Sequence, residues 1–194
     1  MKILFFCTSE IQGGAAKAVN RLHHEMNCMK DISSCMIVKN KTSDDPTVKL
    51  SLSGRKKILR SFISSYIDRI IAKIIGRDSN GFVSSGIFGV GIDGKSLSEY
   101  KTDVICITWV MGGYLSINDI GNILSMGVPV VWRLSDIWPF TGGCHYSNSC
   151  MGFQTSCKKC PEIEKRMFNS LSSLLLEKKH SKWDLSNLTL VAPS

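Results

Sequence analysis

The sequence predicts an α/β protein, a Rossmann-like parallel sheet with helices on both faces. Two observations carry this. The first forty residues read as strand, glycine turn, helix and strand, which is a βαβ unit, and such crossovers are right-handed within a parallel sheet. Further on, "DVICITWV" (103 to 110) and "VPVVWRL" (128 to 134) are near-continuous apolar runs. Strands covered on both faces read that way, because neither side of the pleat meets water.

Taken in order, "KILFFC" (2 to 7) is the first strand. The loop "TSEIQGG" closes it and "AAKAVNRLHHEM" continues as a helix, with apolar positions at Ala15, Ala18, Val19, Leu22 and Met26. "SSCMIVKN" (33 to 40) is the second strand. "LSINDIGNILSMG", between the two later apolar runs, has helical spacing. "LTLVAPS" is a final strand with no helix behind it, so a further half is expected beyond it. In such a sheet the working loops lie at the carboxyl ends of the strands.

At 194 residues, 43% hydrophobic and 21% charged, the chain is one domain with a full core. The N-terminus is too short in apolar residues for a secretory leader, and no run approaches the roughly 20 apolar residues of a spanning helix. These features predict a cytosolic chain whose thiols stay reduced. Cys7, Cys28, Cys35 and Cys106 are expected to be core thiols.

Two segments stand apart from the scaffold. In "GRKKILRSFISSYIDRIIAKIIGRD" (54 to 78), adjacent apolar pairs repeat every four residues and form one broad helical face. Between 55 and 77 there are seven basic residues and one acidic residue, a net +6 of the formal +8. The stretch fits a helix lying on an anionic membrane surface, or a core helix with a solvated basic face. It lacks the aromatic residues and motifs of a nucleic-acid binder, and no nucleic-acid partner is expected. "DSNGFVSSGIFGVGIDGKS" (78 to 96) is expected as a flexible loop near the working face. Its "GVGIDG" is no dinucleotide fingerprint, since it neither follows a clear strand nor opens a helix.

Several residues carry chemistry. Gly13 and Gly14 lie where the first loop meets the first helix, a place that suits a phosphate, although a tight turn needs glycine too. Ser135 and Asp136 end the strand at 128 to 134. There Asp136 is a candidate general base or hydrogen-bonding group, with a helix cap or turn as the alternative. Trp109, Trp132 and Trp138 read as packing, with stacking on a sugar ring as the other use. "FTGGCHYSNSCMGFQTSCKKCP" (140 to 161) holds Cys144, Cys150, Cys157 and Cys160. The leading reading is a structural zinc site made by all four cysteines, or by three of them with His145. Two disulfides, packed thiols and a catalytic cysteine are the alternatives.

With these stretches in hand, the sequence resembles the N-terminal domain of bacterial family 4 glycosyltransferases, GT-B-fold enzymes of extracellular and O-antigen polysaccharide synthesis. "GGAAKAVNRLHHEM", "DVICITWVMGGYLSINDI" and above all "PVVWRLSDIWPFTGGCHYSNSCMGFQTSCKKCP" carry the resemblance. It implies retaining transfer of a sugar from a nucleotide sugar to a saccharide or lipid-linked acceptor, at the inner face of the cytoplasmic membrane. The chain would be the acceptor-side half (1 to 194), truncated or split from a nucleotide-sugar domain and impaired in activity. Gly13 and Gly14 would line the donor diphosphate side of the cleft. Ser135 and Asp136 correspond to the family's "HD", and Cys106 and Thr108 stand where its "HLHW" has histidines. The competing function is a non-enzymatic, zinc-stabilised saccharide-binding module, or a partner of a separate donor domain.

Overall fold

The computed structural model describes residues 1–51, 55–75, 83–92, 94–158, 160–161 and 170–192. Six parallel strands form one sheet: β1 (Lys2–Ser9), β2 (Ser33–Asn40), β3 (Val48–Leu50), β4 (Val104–Ile107), β5 (Val130–Arg133) and β6 (Leu188–Val191). Their spatial order is β3-β2-β1-β4-β5-β6, and every neighbouring pair is parallel. The chain therefore runs outward from β1 to one edge, returns, and runs outward to the other. That reversal between β1 and β4 is the switch point at which doubly wound sheets leave a crevice.

β1 shows why the sheet needs covering on both sides. Alternate side chains of a strand point to opposite faces. Leu4 and Phe6 join a cluster that includes Ile105, Ile107, Val130 and Trp132, whereas Ile3, Phe5 and Cys7 join another with Met36, Val38 and Cys106. Helix α1 (Gly14–Asn27) closes the second cluster with Ala16 and Val19. Helix α4 (Ile117–Leu124) closes the first, together with Leu175 of helix α5 (Leu171–Lys182). Each large apolar side chain so buried contributes roughly 1.5–3 kcal/mol. A capping box starts α4: the Ser116 hydroxyl accepts from the Asp119 N–H, and the Asp119 carboxylate accepts from the Ser116 N–H.

The expected βαβ unit, the two buried strands and the helix between them are all present. β3 and α5 are additions that the sequence pattern did not announce, and a short helix α3 (Gly94–Ser98) interrupts the glycine-serine stretch. What is described of that stretch is largely buried: Ser84, Ser85 and Val90 lie in the interior. Residues 83–92 form part of the body, whereas 78–82 and 93 of the predicted loop lie outside the described residues. Cys28 is a second departure, an exposed thiol at the end of α1, while Cys7 and Cys106 are buried as expected.

Helix α2 (Arg55–Ile75) packs in an unexpected way. It meets the body through Ser61, Ser64 and Asp68, all buried, and leaves Leu59, Phe62, Ile63, Tyr66 and Ile70 exposed. The Ser64 hydroxyl donates to the Gly113 carbonyl at 2.7 Å, and the Asp68 carboxylate accepts from the N–H and hydroxyl of Ser85 at 3.1 and 2.9 Å. Over residues 59–73 this is not the packing of a core helix, and residues 54 and 76–78 of the predicted stretch lie outside the described residues. The face turned inward is small and polar because a glycine backbone presses against it.

That contact gives a prediction. Gly113 has φ +71°, and a Cβ there would stand 2.6 Å from the Ser65 nitrogen and 2.7 Å from the Ser64 carbonyl. Gly113→Ala combines left-handed strain with a backbone clash that no side chain can relieve, so it should cost about 3 kcal/mol. The loss is read as a lower urea midpoint at unchanged m-value. A midpoint equal to wild type would show that α2 sits further from this turn.

Candidate functional site

β1, β4 and β5 all point their carboxyl ends into one crevice. A cavity of about 580 Å³ opens there, lined among others by Gly13, Gly14, Arg133, Ser135, Asp136 and Tyr146. The two halves of the predicted site, one from the first loop and one from the end of β5, therefore meet across a single space. Gly13 precedes α1 with φ +89°, and no side chain caps the helix's first N–H groups. A Cβ on Gly13 or Gly14 would meet nothing within 4 Å. The space before the helix start is open, and that end of a helix favours an anion.

Asp136 is held from three sides. Its Oδ2 accepts from the Trp109 indole N–H at 3.1 Å and lies 2.6 Å from His145 Nδ1. Its Oδ1 accepts from the Trp138 N–H at 2.9 Å. The other ring nitrogen of His145, Nε2, is 2.9 Å from the Ser84 hydroxyl, and both residues are buried. Serine, histidine and aspartate thus form a row, but the serine lies at the buried end and the carboxylate at the cavity. The row is not a nucleophile with its base. It is a carboxylate whose direction is fixed by a histidine that is itself fixed by a serine.

The sequence does not show this role of His145, because along the chain it stands beside Cys144, where it reads as a metal ligand or a cysteine's base. The signal that could have found it is the Gly142-Gly143 pair, which lets the chain fold back toward Asp136. Ser135 lines the cavity, and its buried hydroxyl has no hydrogen-bond partner among the described residues. An orphaned hydroxyl at a cavity wall calls for a water or a ligand. Cys106 and Thr108 do not reach the crevice as polar groups. Thr108 gives its hydroxyl to the Phe6 carbonyl, and burial pushes the Cys106 thiol up to about 12. Of the tryptophans, Trp109 lines the cavity while Trp132 and Trp138 are buried.

A second cavity of about 590 Å³ adjoins the first, with Ser9, Gln12 and Trp109 on both walls, and carries Lys39 and Arg69. The Lys39 ammonium donates to the Gly112 carbonyl at 2.6 Å and to the Ser65 hydroxyl. Burial pulls this amine down to about 8, with Asp68 acting against the shift and Arg69 with it.

The cysteine-rich segment lies between β5 and α5. Among the described residues no three histidine, cysteine, aspartate or glutamate side chains stand together in the arrangement of a metal site. Burial raises the thiols of Cys144 and Cys157. Cys150 and Cys157 accept from backbone N–H groups, of Gly152 at 3.4 Å and Gly142 at 3.2 Å. A lysine is buried beneath this segment. Lys179 of α5, 1% exposed, donates to the carbonyls of Trp138 at 2.5 Å and Thr141 at 2.8 Å. Its ammonium lies 3.3 Å from the centre of the Trp138 ring. The Ser172 hydroxyl, also on α5, donates to the Cys157 carbonyl at 2.6 Å. The segment is clamped by α5.

No family model matches this sequence, and no solved structure matches it. Over 36 residues the chain is 44% identical to a protein of Escherichia coli (strain K12) described as a colanic acid biosynthesis glycosyl transferase, WcaC. The matched stretch is 19% of this chain and spans 9% of that protein's length. Among the described residues no helix is long and apolar enough to cross a membrane. The comparisons and the fold together give a Rossmann-like α/β chain with a short similarity to a glycosyltransferase.

Proposed function

We propose that this chain is the acceptor-side part of a retaining, family 4-like glycosyltransferase. It takes part in moving a sugar from a nucleotide sugar to a saccharide or lipid-linked acceptor in surface polysaccharide synthesis. The observation that carries the reading is the crevice where Gly13 and Gly14, at an open helix start, face Ser135 and Asp136. The uncapped end of α1 suits the diphosphate of the donor. The fixed Asp136 carboxylate suits a sugar hydroxyl, which needs an acceptor held at one distance and direction. The short similarity to a glycosyltransferase supports the same reading. In the transfer, the bond between the anomeric carbon and the diphosphate oxygen breaks and a bond to the acceptor oxygen forms. The acceptor's proton leaves with the nucleotide diphosphate.

Ligand-observed NMR on the full chain tests this. Saccharides and nucleotide sugars should both give transfer signals at millimolar concentration, with the nucleotide sugar competed by inorganic pyrophosphate. Saccharide signals without any nucleotide-sugar signal would favour the binding-module alternative. Absence of both would overturn the reading.

A further inference from the structure

The second cavity has a charged wall that the glycosyl-transfer reading leaves unused. We propose that it is an acid-recognising subsite, in which Lys39 and Arg69 hold the carboxylate or phosphate of an acidic saccharide while a hydroxyl of the same molecule reaches Asp136. The proposal rests on the acceptor reading of the first cavity only for that second contact.

Lys39 is the penultimate residue of β2, so the strand carries its amine to the same edge of the sheet as Ser135 and Asp136. The ammonium donates to two neutral acceptors, the Gly112 carbonyl and the Ser65 hydroxyl. An ammonium has three donors, and neither acceptor brings a counter-charge. Among the described residues no carboxylate stands within ion-pair distance of Lys39 or of Arg69. Asp68, the acid next to Arg69 in the chain, is turned away to Ser85. Two cations therefore face one space of about 590 Å³ with no anion between them. Burying an ammonium without a counter-charge is unfavourable, and an oxyanion entering the cavity would supply that charge through charge-assisted hydrogen bonds. A lysine that only tied β2 to α2 would need its hydrogen bonds but not its charge, and it would not need Arg69 beside it.

Trp109 joins the two cavities, since it lines both. Its indole N–H donates to the Asp136 carboxylate at 3.1 Å. The far end of the ring lies by Gly112, where a Cβ would stand 3.6 Å from Trp109 Cη2. The Gly112 carbonyl is the group that holds Lys39. Carboxylate and ammonium thus stand toward opposite ends of one indole. A saccharide that crosses the ring can give a hydroxyl to the first and an acid to the second, whereas a neutral one fills the same space without meeting the charge.

Ligand-observed NMR on the full chain, with methyl glucuronide, glucose 1-phosphate and the neutral methyl glucoside as probes, tests this without any transfer reaction. At least one of the two acids should bind about tenfold tighter than the glucoside, and which one does so separates a carboxylate from a phosphate. Lys39→Met should remove the preference. Arg69→Gln, at an exposed side chain, should cut it several-fold with an unchanged melting curve, and it keeps the test open if the Lys39 variant fails to fold. Equal affinity for acidic and neutral probes would overturn the proposal and leave the transferase reading standing. A phosphate preference that survives Arg69→Gln undiminished would also overturn it, because that anion would then sit at the start of α1. An acid preference lost in the variants, with no signal from any nucleotide sugar, would keep the subsite and remove the transferase reading.

Discussion

Asp136→Asn should lower glycosyl transfer by about two orders of magnitude, about what a misplaced reacting hydroxyl costs. The carboxylate accepts at Oδ2 from Trp109, has His145 on the same oxygen, and accepts at Oδ1 from Trp138. An amide has one oxygen. Whichever way it turns, an NH₂ group faces at least one N–H donor, so the side chain rotates away from the aim that His145 and Ser84 give it. The same mismatch should cost stability, about 1–3 kcal/mol for an unpaired buried donor. Labelled sugar moved from nucleotide sugar at saturating acceptor reads the first effect, and urea unfolding reads the second. A variant that lost stability but kept its transfer rate would place the chemistry elsewhere in the crevice.

Lys179→Met should change how stability depends on pH. Burial holds the Lys179 amine well below its usual value, an effect opposed by Cys144, Cys157 and Asp136. Between the folded value and the unfolded one near 10.4, the unfolded chain binds the extra proton. Stability contributed by this group therefore rises as pH rises through that window. Methionine fills similar space but cannot donate to the Trp138 and Thr141 carbonyls, and each orphaned carbonyl costs about 1–3 kcal/mol. At lower pH this loss is partly offset, because the variant no longer buries a charge. The gap between wild type and variant should widen with pH from neutral toward 10. Parallel curves from urea midpoints across that range would show that Lys179 is not a buried cation beneath the cysteine-rich segment.

The same lysine shows where sequence reasoning stops. Four cysteines in seventeen residues are visible as a spacing along the chain, whereas the side chain buried beneath their loop is not. Lys179 is nineteen residues beyond the last of them, in a helix that only tertiary packing brings underneath. His145 was hidden in another way. Its role depends on a reversal of the chain at Gly142-Gly143, and its sequence neighbour Cys144 drew the attention. Asp136, Ser135, Gly13 and Gly14 were legible, because strand ends and helix starts in a parallel sheet converge on one edge whatever the loops do.

Helix α2 divides the two kinds of information most sharply. Its period, its broad apolar face and its excess of basic charge are properties of the chain, set by residue types at fixed helical angles. Local patterning likewise determined β1, β2, β4 and β5 and the crevice at their carboxyl ends. Whether the apolar face of α2 turns inward was a different matter. It was decided by whether the body offers a surface for it, and the body offers the backbone of Gly113 and the hydroxyl of Ser85. Those accept serines and an aspartate and leave phenylalanine and tyrosine outside.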